Sequence, residues 1–155
     1  MRLLFLFFFL LTVSAAAQPT TDVYFEAFLS NDNAQMKKME TELKTFTQTP
    51  KIRAQRGALL AKIAMSEKDK STKVRNFNMG KEMLEKQLRD NKENVEYRFM
   101  RLCIQTFCSG MNYGDNIQDD KKMILDHFSE LEEALKNIIR TYARTSPVFK
   151  DEVLE

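Results

Sequence analysis

The stretch "TPKIRAQRGALLAKIAMSEKDKSTKVRNFNMGKEMLEKQLRD", Thr49 to Asp90, decides the fold. It opens with Thr49 and Pro50, an N-cap residue followed by a proline in the first helical turn, where a missing amide hydrogen costs little. Ala54, Gly57, Ala58, Ala61 and Ala64 keep close to one face of a helix predicted over Pro50 to Ser66. A neighbouring backbone can come close over such a face. After the polar "EKDKS", with Ser71 as the expected cap, a second helix runs to Asp90 and turns Val74, Phe77, Gly80, Leu84 and Leu88 inward. An interior glycine costs a helix about 1 kcal/mol relative to alanine, so Gly80 implies a packing requirement. Gly57 and Gly80 are predicted to meet where the two helices touch.

The same periodicity extends to both sides, and glycine and proline are scarce. It predicts helices over Thr21 to Leu29 and Asn33 to Phe46, one capped by Asn94, one over Ile117 to Phe128 with Asn116 as its cap, and one over Glu130 to Arg144. The expectation is an all-α chain of about seven helices, antiparallel hairpins stacked in a tetratricopeptide-like array. Its domain spans residues 18–146, and residues 147–155 form a tail whose Val148 and Phe149 can fold back onto the core. A tetratricopeptide unit is about 34 residues long with a small residue in each helix, and Gly57 and Gly80 are too far apart for the stringent motif.

The N-terminus reads "MRLLFLFFFLLTVSAAAQP": one arginine, an apolar run from Leu3 to Val13, then Ser14 and three alanines. This pattern predicts a secretory signal peptide over residues 1–17, cleaved after Ala17 to leave Gln18 as the mature N-terminus. The run is about half the roughly 20 residues that span a bilayer, so it reads as an address and not an anchor. The 24 Lys and Arg against 22 Asp and Glu are interspersed, without a basic block, which argues against nucleic acid as a partner. No further apolar run suggests a membrane span in the mature chain.

Across the middle, "AQRGA", "FNMGKEMLEK", "NVEYRFMRLCIQ" and "YGDNIQDDKK" together resemble a family of small exported, tetratricopeptide-like helical proteins of Bacteroidota-type bacteria. The likeness covers roughly Pro50 to Phe128. It rests on Ala54, Gly57 and Ala58, then on Phe77, Asn78, Gly80, Lys81, Leu84, Glu85 and Lys86. Asn94, Val95, Glu96, Arg98, Phe99, Arg101, Ile104 and Gln105 continue it, followed by Tyr113, Ile117, Asp120 and Lys121. The resemblance implies export and a helical-hairpin fold, and it brings no catalytic residue with it. Cys103 and Cys108 lie outside its pattern.

The residues offer few chemical constellations. "CIQTFC" is not a C-x-x-C pair, and on an unbroken helix its two cysteines stand about 7.5 Å apart along the axis, beyond disulfide reach. Two buried free thiols are expected. His127, the single histidine, has no nucleophile marked beside it. Asp115, Asp119 and Asp120 do not fit the calcium-loop spacing, and neither a metal nor a cofactor is expected. The nine methionines stand mostly at apolar helix positions and read as core.

The sharpest feature is Arg98, Arg101 and Gln105, one polar stripe on an otherwise apolar helix. Two readings stand. The arginines clamp a carboxylate or phosphate of a partner, with Tyr113 and its loop closing over it, or they pair with Asp119, Asp120 or Glu96 inside the fold. The leading functional expectation is an exported, non-enzymatic adaptor that presents a groove, with the fifth helix prominent, to a protein or peptide. An enzyme with a dispersed site and an envelope protein without a discrete ligand are the alternatives.

Overall fold

The structure, a computed structural model, describes residues 17–150, 152 and 154. The expected signal peptide lies almost wholly outside the described residues. Among those residues there is no strand, and seven α-helices follow one another: α1 (Thr21–Leu29), α2 (Asn33–Leu43), α3 (Pro50–Ala64), α4 (Lys70–Asp90), α5 (Val95–Phe107), α6 (Ile117–Asp126) and α7 (Glu133–Ala143). Short 3-10 turns follow α5, α6 and α7. The all-α class and the helix count are as the sequence predicts.

α3 and α4 form the tightest hairpin. Thr49 caps α3 by accepting from the Ile52 amide at 3.3 Å, with Pro50 in the first turn. A Cβ placed on Gly57 would lie 2.7 Å from the Gly80 carbonyl oxygen and 2.8 Å from the Leu84 nitrogen; one on Gly80 would lie 2.5 Å from the Ala61 nitrogen. Gly57 thus faces Leu84 while Gly80 faces Ala61, the reversed order of an antiparallel pair. The small-residue face lets two backbones meet where any side chain would hold them apart.

α5 and α6 make a second hairpin, α2 packs on α3, and α3 packs on α5. α7 returns to pack against α1. This contact between first and last helices closes the bundle, whereas in an open repeat array each unit meets only its neighbours. Tyr24, Phe25 and Phe28 of α1 enter the core, Phe25 lying 5.5 Å from the Phe99 ring of α5. The segment after Pro147 joins the same body: Phe149 is buried, its ring centroid 6.4 Å from that of Tyr142, and Lys121 pairs with Glu152 at 2.6 Å.

Several local expectations shift. α2 stops at Leu43 because the Gln48 amide donates to the Leu43 and Phe46 carbonyls and holds the chain in a turn. Asp69, not Ser71, caps α4: its carboxylate accepts from the Thr72 amide at 2.8 Å and from the Ser71 hydroxyl. Asn116 makes no side-chain cap bond. Val74 is exposed, and Phe107 is 43% exposed at the end of α5. Met36, Met39 and Met100 are core residues as expected, whereas Met79 is exposed.

Candidate functional site

Asn94 caps α5, its side chain accepting from the Tyr97 amide at 3.0 Å. Nine of its residues are buried, Arg101 and Gln105 among them, so it is the central helix. Arg98 and Arg101 reach α6, and what meets them there is a carboxylate of this chain. Asp120, fully buried in the first turn of α6, takes both arginines. Arg101 is bidentate, Nε donating to Oδ2 and Nη2 to Oδ1 at 2.7 Å each, and Arg98 Nη1 donates to Oδ1 at 2.9 Å. Arg98 Nε also donates to the Lys92 carbonyl at 2.6 Å.

The network continues to α4. Arg101 Nη1 donates to Glu85 Oε2 at 3.1 Å, and the Tyr113 hydroxyl donates to Glu85 Oε1. The Tyr113 ring lies edge-on to Phe77 and beneath the Lys81 ammonium, 4.7 Å from its centroid. Two guanidinium cations thus meet two carboxylates, and α4, α5, α6 and the Tyr113 loop are tied through one set of charge-assisted bonds. Burial opposes the Arg101 charge, but the Asp120 hydrogen bonds and the Asp120 and Glu85 charges outweigh it and raise its pKa. Burial, then the Glu85 bond, raises the Tyr113 phenol.

Of the two readings of the stripe, the geometry brings Arg98, Arg101 and Tyr113 together as an internal brace. Asp119 is exposed and Glu96 pairs with Lys51 at 3.0 Å, so neither joins it. Gln105 is buried at 2% exposure, and its amide has no hydrogen-bond partner among the described residues. Glu85 is the member that reasoning from α5 alone missed; in the sequence it stood out only among the residues that carry the family resemblance.

The cysteines are free and buried. His127 ends α6, with Nδ1 3.1 Å from Glu130 Oε2. No group of acidic, histidine or cysteine residues able to hold a metal occurs among the described residues. No described helix is long and apolar enough to cross a membrane.

Concavities lie instead along the seam between α1 and α7. Thr21 shares a recess with Leu131 and Leu135, Phe25 shares one with Ile138, and Leu29 shares one with Tyr142. The two helices therefore run side by side in the same direction. The middle recess, about 430 Å³, has Phe25, Leu29 and Ile138 as apolar lining, with Asp22, Glu26, Asn137 and Thr141 around them. Its charged side chains are both acidic.

Ionisation adds a check on this packing. Burial pushes the Cys108 thiol and the Tyr142 phenol up to about 12, from ordinary values of 9.0 and 10.0, and raises Cys103 and Tyr24 as well. Groups whose folded pKa is raised contribute stability that is full below their unfolded pKa and lost as pH climbs through the folded value. The lowered Lys62 pKa acts in the opposite sense but is a single group. The thermal midpoint should hold up to about pH 9 and fall steeply toward pH 12; a flat profile across that window would contradict the burial of these groups.

No family model, curated protein or solved structure matches the chain.

Proposed function

We propose that this is an exported, non-enzymatic interaction module of the helical-hairpin kind, which binds a segment of a partner protein along the α1/α7 seam. The observation that carries the reading is the middle recess of that seam, with apolar walls from Phe25, Leu29 and Ile138 beside Asp22 and Glu26. Its chemistry complements a segment with apolar anchor side chains and basic neighbours. The arginines of α5 are already neutralised by Asp120 and Glu85, which moves the expected groove away from α5. The leader-like N-terminus and the resemblance to exported tetratricopeptide-like proteins support the export half of the reading.

The test uses the chain recovered from the exported fraction, with Gln18 expected at its N-terminus. Ile138→Lys places a cation in the recess and should weaken partner recovery by about tenfold or more, by removing an apolar contact and opposing a basic segment. Asp119→Lys, on the opposite hairpin, should leave recovery unchanged. Equal recovery with both variants would remove the seam from the account.

A further inference from the structure

Lys62 is the one buried lysine among the described residues, 4% exposed on α3. Its ammonium donates to the Phe28 carbonyl at 2.5 Å and lies 3.5 Å from the Ser30 carbonyl. These oxygens belong to the C-terminal end of α1, where the helix dipole is negative and a cation is favoured. The capping is incomplete as a charge balance. No ion pair among the described residues includes Lys62. The nearby Cys103 and Cys108 thiols are held neutral by burial and supply no counter-charge. A buried cation without an anion carries an uncompensated desolvation penalty.

Lys62 is one of the residues lining a recess of about 280 Å³ at the C-terminal end of the seam. Thr106, Tyr142 and Ser146 also line it. Their hydroxyls are engaged within the fold: Thr106 donates to the Leu102 and Cys103 carbonyls and lies 2.7 Å from the Tyr142 hydroxyl, and Ser146 accepts from the Val148 amide. Leu29 and Pro147 give the recess apolar walls, and the exposed Phe107 ring stands beside the ammonium, 4.5 Å from centroid to nitrogen. A cation and a short apolar surface in one small concavity match one ligand chemistry.

We propose that this recess binds a small monocarboxylic acid, the carboxylate seated against the Lys62 ammonium and the short apolar body against Leu29, Phe107 and Pro147. The site is separate from the partner reading, because an acid of this size fills the recess without the rest of the seam. A carboxylate supplies the counter-charge that no described residue gives Lys62, and proton linkage requires its binding to raise the Lys62 pKa.

The experiment titrates the unaltered mature chain with hexanoate and with hexanamide while following the Lys62 side-chain nitrogen by NMR. Hexanoate should bind saturably, about tenfold or more tighter than the amide, and should raise the pH at which the Lys62 nitrogen titrates. N-acetylleucine against N-acetylleucinamide tests a chain end as the source of the carboxylate. Tighter binding of N-acetylleucine than of hexanoate assigns the site to a peptide terminus, the reverse assigns it to a free acid, and both support carboxylate recognition. Amides binding as well as acids, no saturable binding of either acid, or binding that leaves the Lys62 resonance in place would overturn the proposal. Lys62→Met, if it folds, should abolish the preference for acid over amide. Loss of partner recovery in Ile138→Lys has no bearing on these titrations, so the two readings fail separately.

Discussion

Asp120→Ala is expected to destabilise the chain by about 3–5 kcal/mol, the usual result of removing one partner from a buried ion pair. Asp120 is fully buried and holds both Arg98 and Arg101, so its loss strands Arg101, 8% exposed, with Glu85 as its remaining carboxylate. For a domain of this size the thermal midpoint should drop by about 10–20 °C. Asp119→Ala is the matched control: the same helix turn, the same charge removed, an exposed side chain and a change within about 0.5 kcal/mol. Equal midpoints for the two variants would mean that the arginines are not held by Asp120. Replacing the pair together, Arg101→Met with Asp120→Leu, should recover the part of the loss that comes from the stranded Arg101, and not the part from Arg98, which still loses Asp120.

Gly80→Ala is the second large effect. In an exposed helix interior this change stabilises by about 1 kcal/mol. Here the new Cβ would lie 2.5 Å from the Ala61 nitrogen and 2.7 Å from the Gly57 carbonyl oxygen, and backbone atoms cannot swing aside as a side chain can. α3 and α4 must separate along their whole contact, at a net cost of about 2–3 kcal/mol. Gly110→Ala should be near neutral, since a Cβ at Gly110 meets nothing within 4 Å. Wild-type stability in Gly80→Ala would show that the two backbones do not touch there.

The two glycines illustrate what a sequence makes legible. Their cost in a helix is intrinsic, so their presence announced a close approach, and the small-residue face of α3 named its partner side. The caps at Thr49 and Asn94 were equally plain, because a cap is a bond over three residues. At α4 the same logic named Ser71, but the Ser71 hydroxyl donates to Asp69, and the Asp69 carboxylate accepts from the helix amide. The arginine stripe was visible from its spacing, but spacing on α5 is silent about what α6 places opposite. That choice between an internal carboxylate and a partner's was made by tertiary packing. Lys62 was hidden for a related reason. Within "ALLAKIA" it reads as one solvated position on a half-buried helix, whereas packing against α1 and α5 leaves almost none of its surface to water. The closure of α7 on α1 is the longest-range contact of all, and no local pattern announces it.

The internal brace and the external seam are two halves of one claim, and a photocrosslinking residue installed at position 138 or at position 119 tests both in the native compartment. The account predicts a discrete adduct with a partner protein from position 138, lost when Glu26→Lys reverses an acidic side chain of the recess, and none from position 119. An adduct formed equally from both positions, or from position 119 alone, would contradict it.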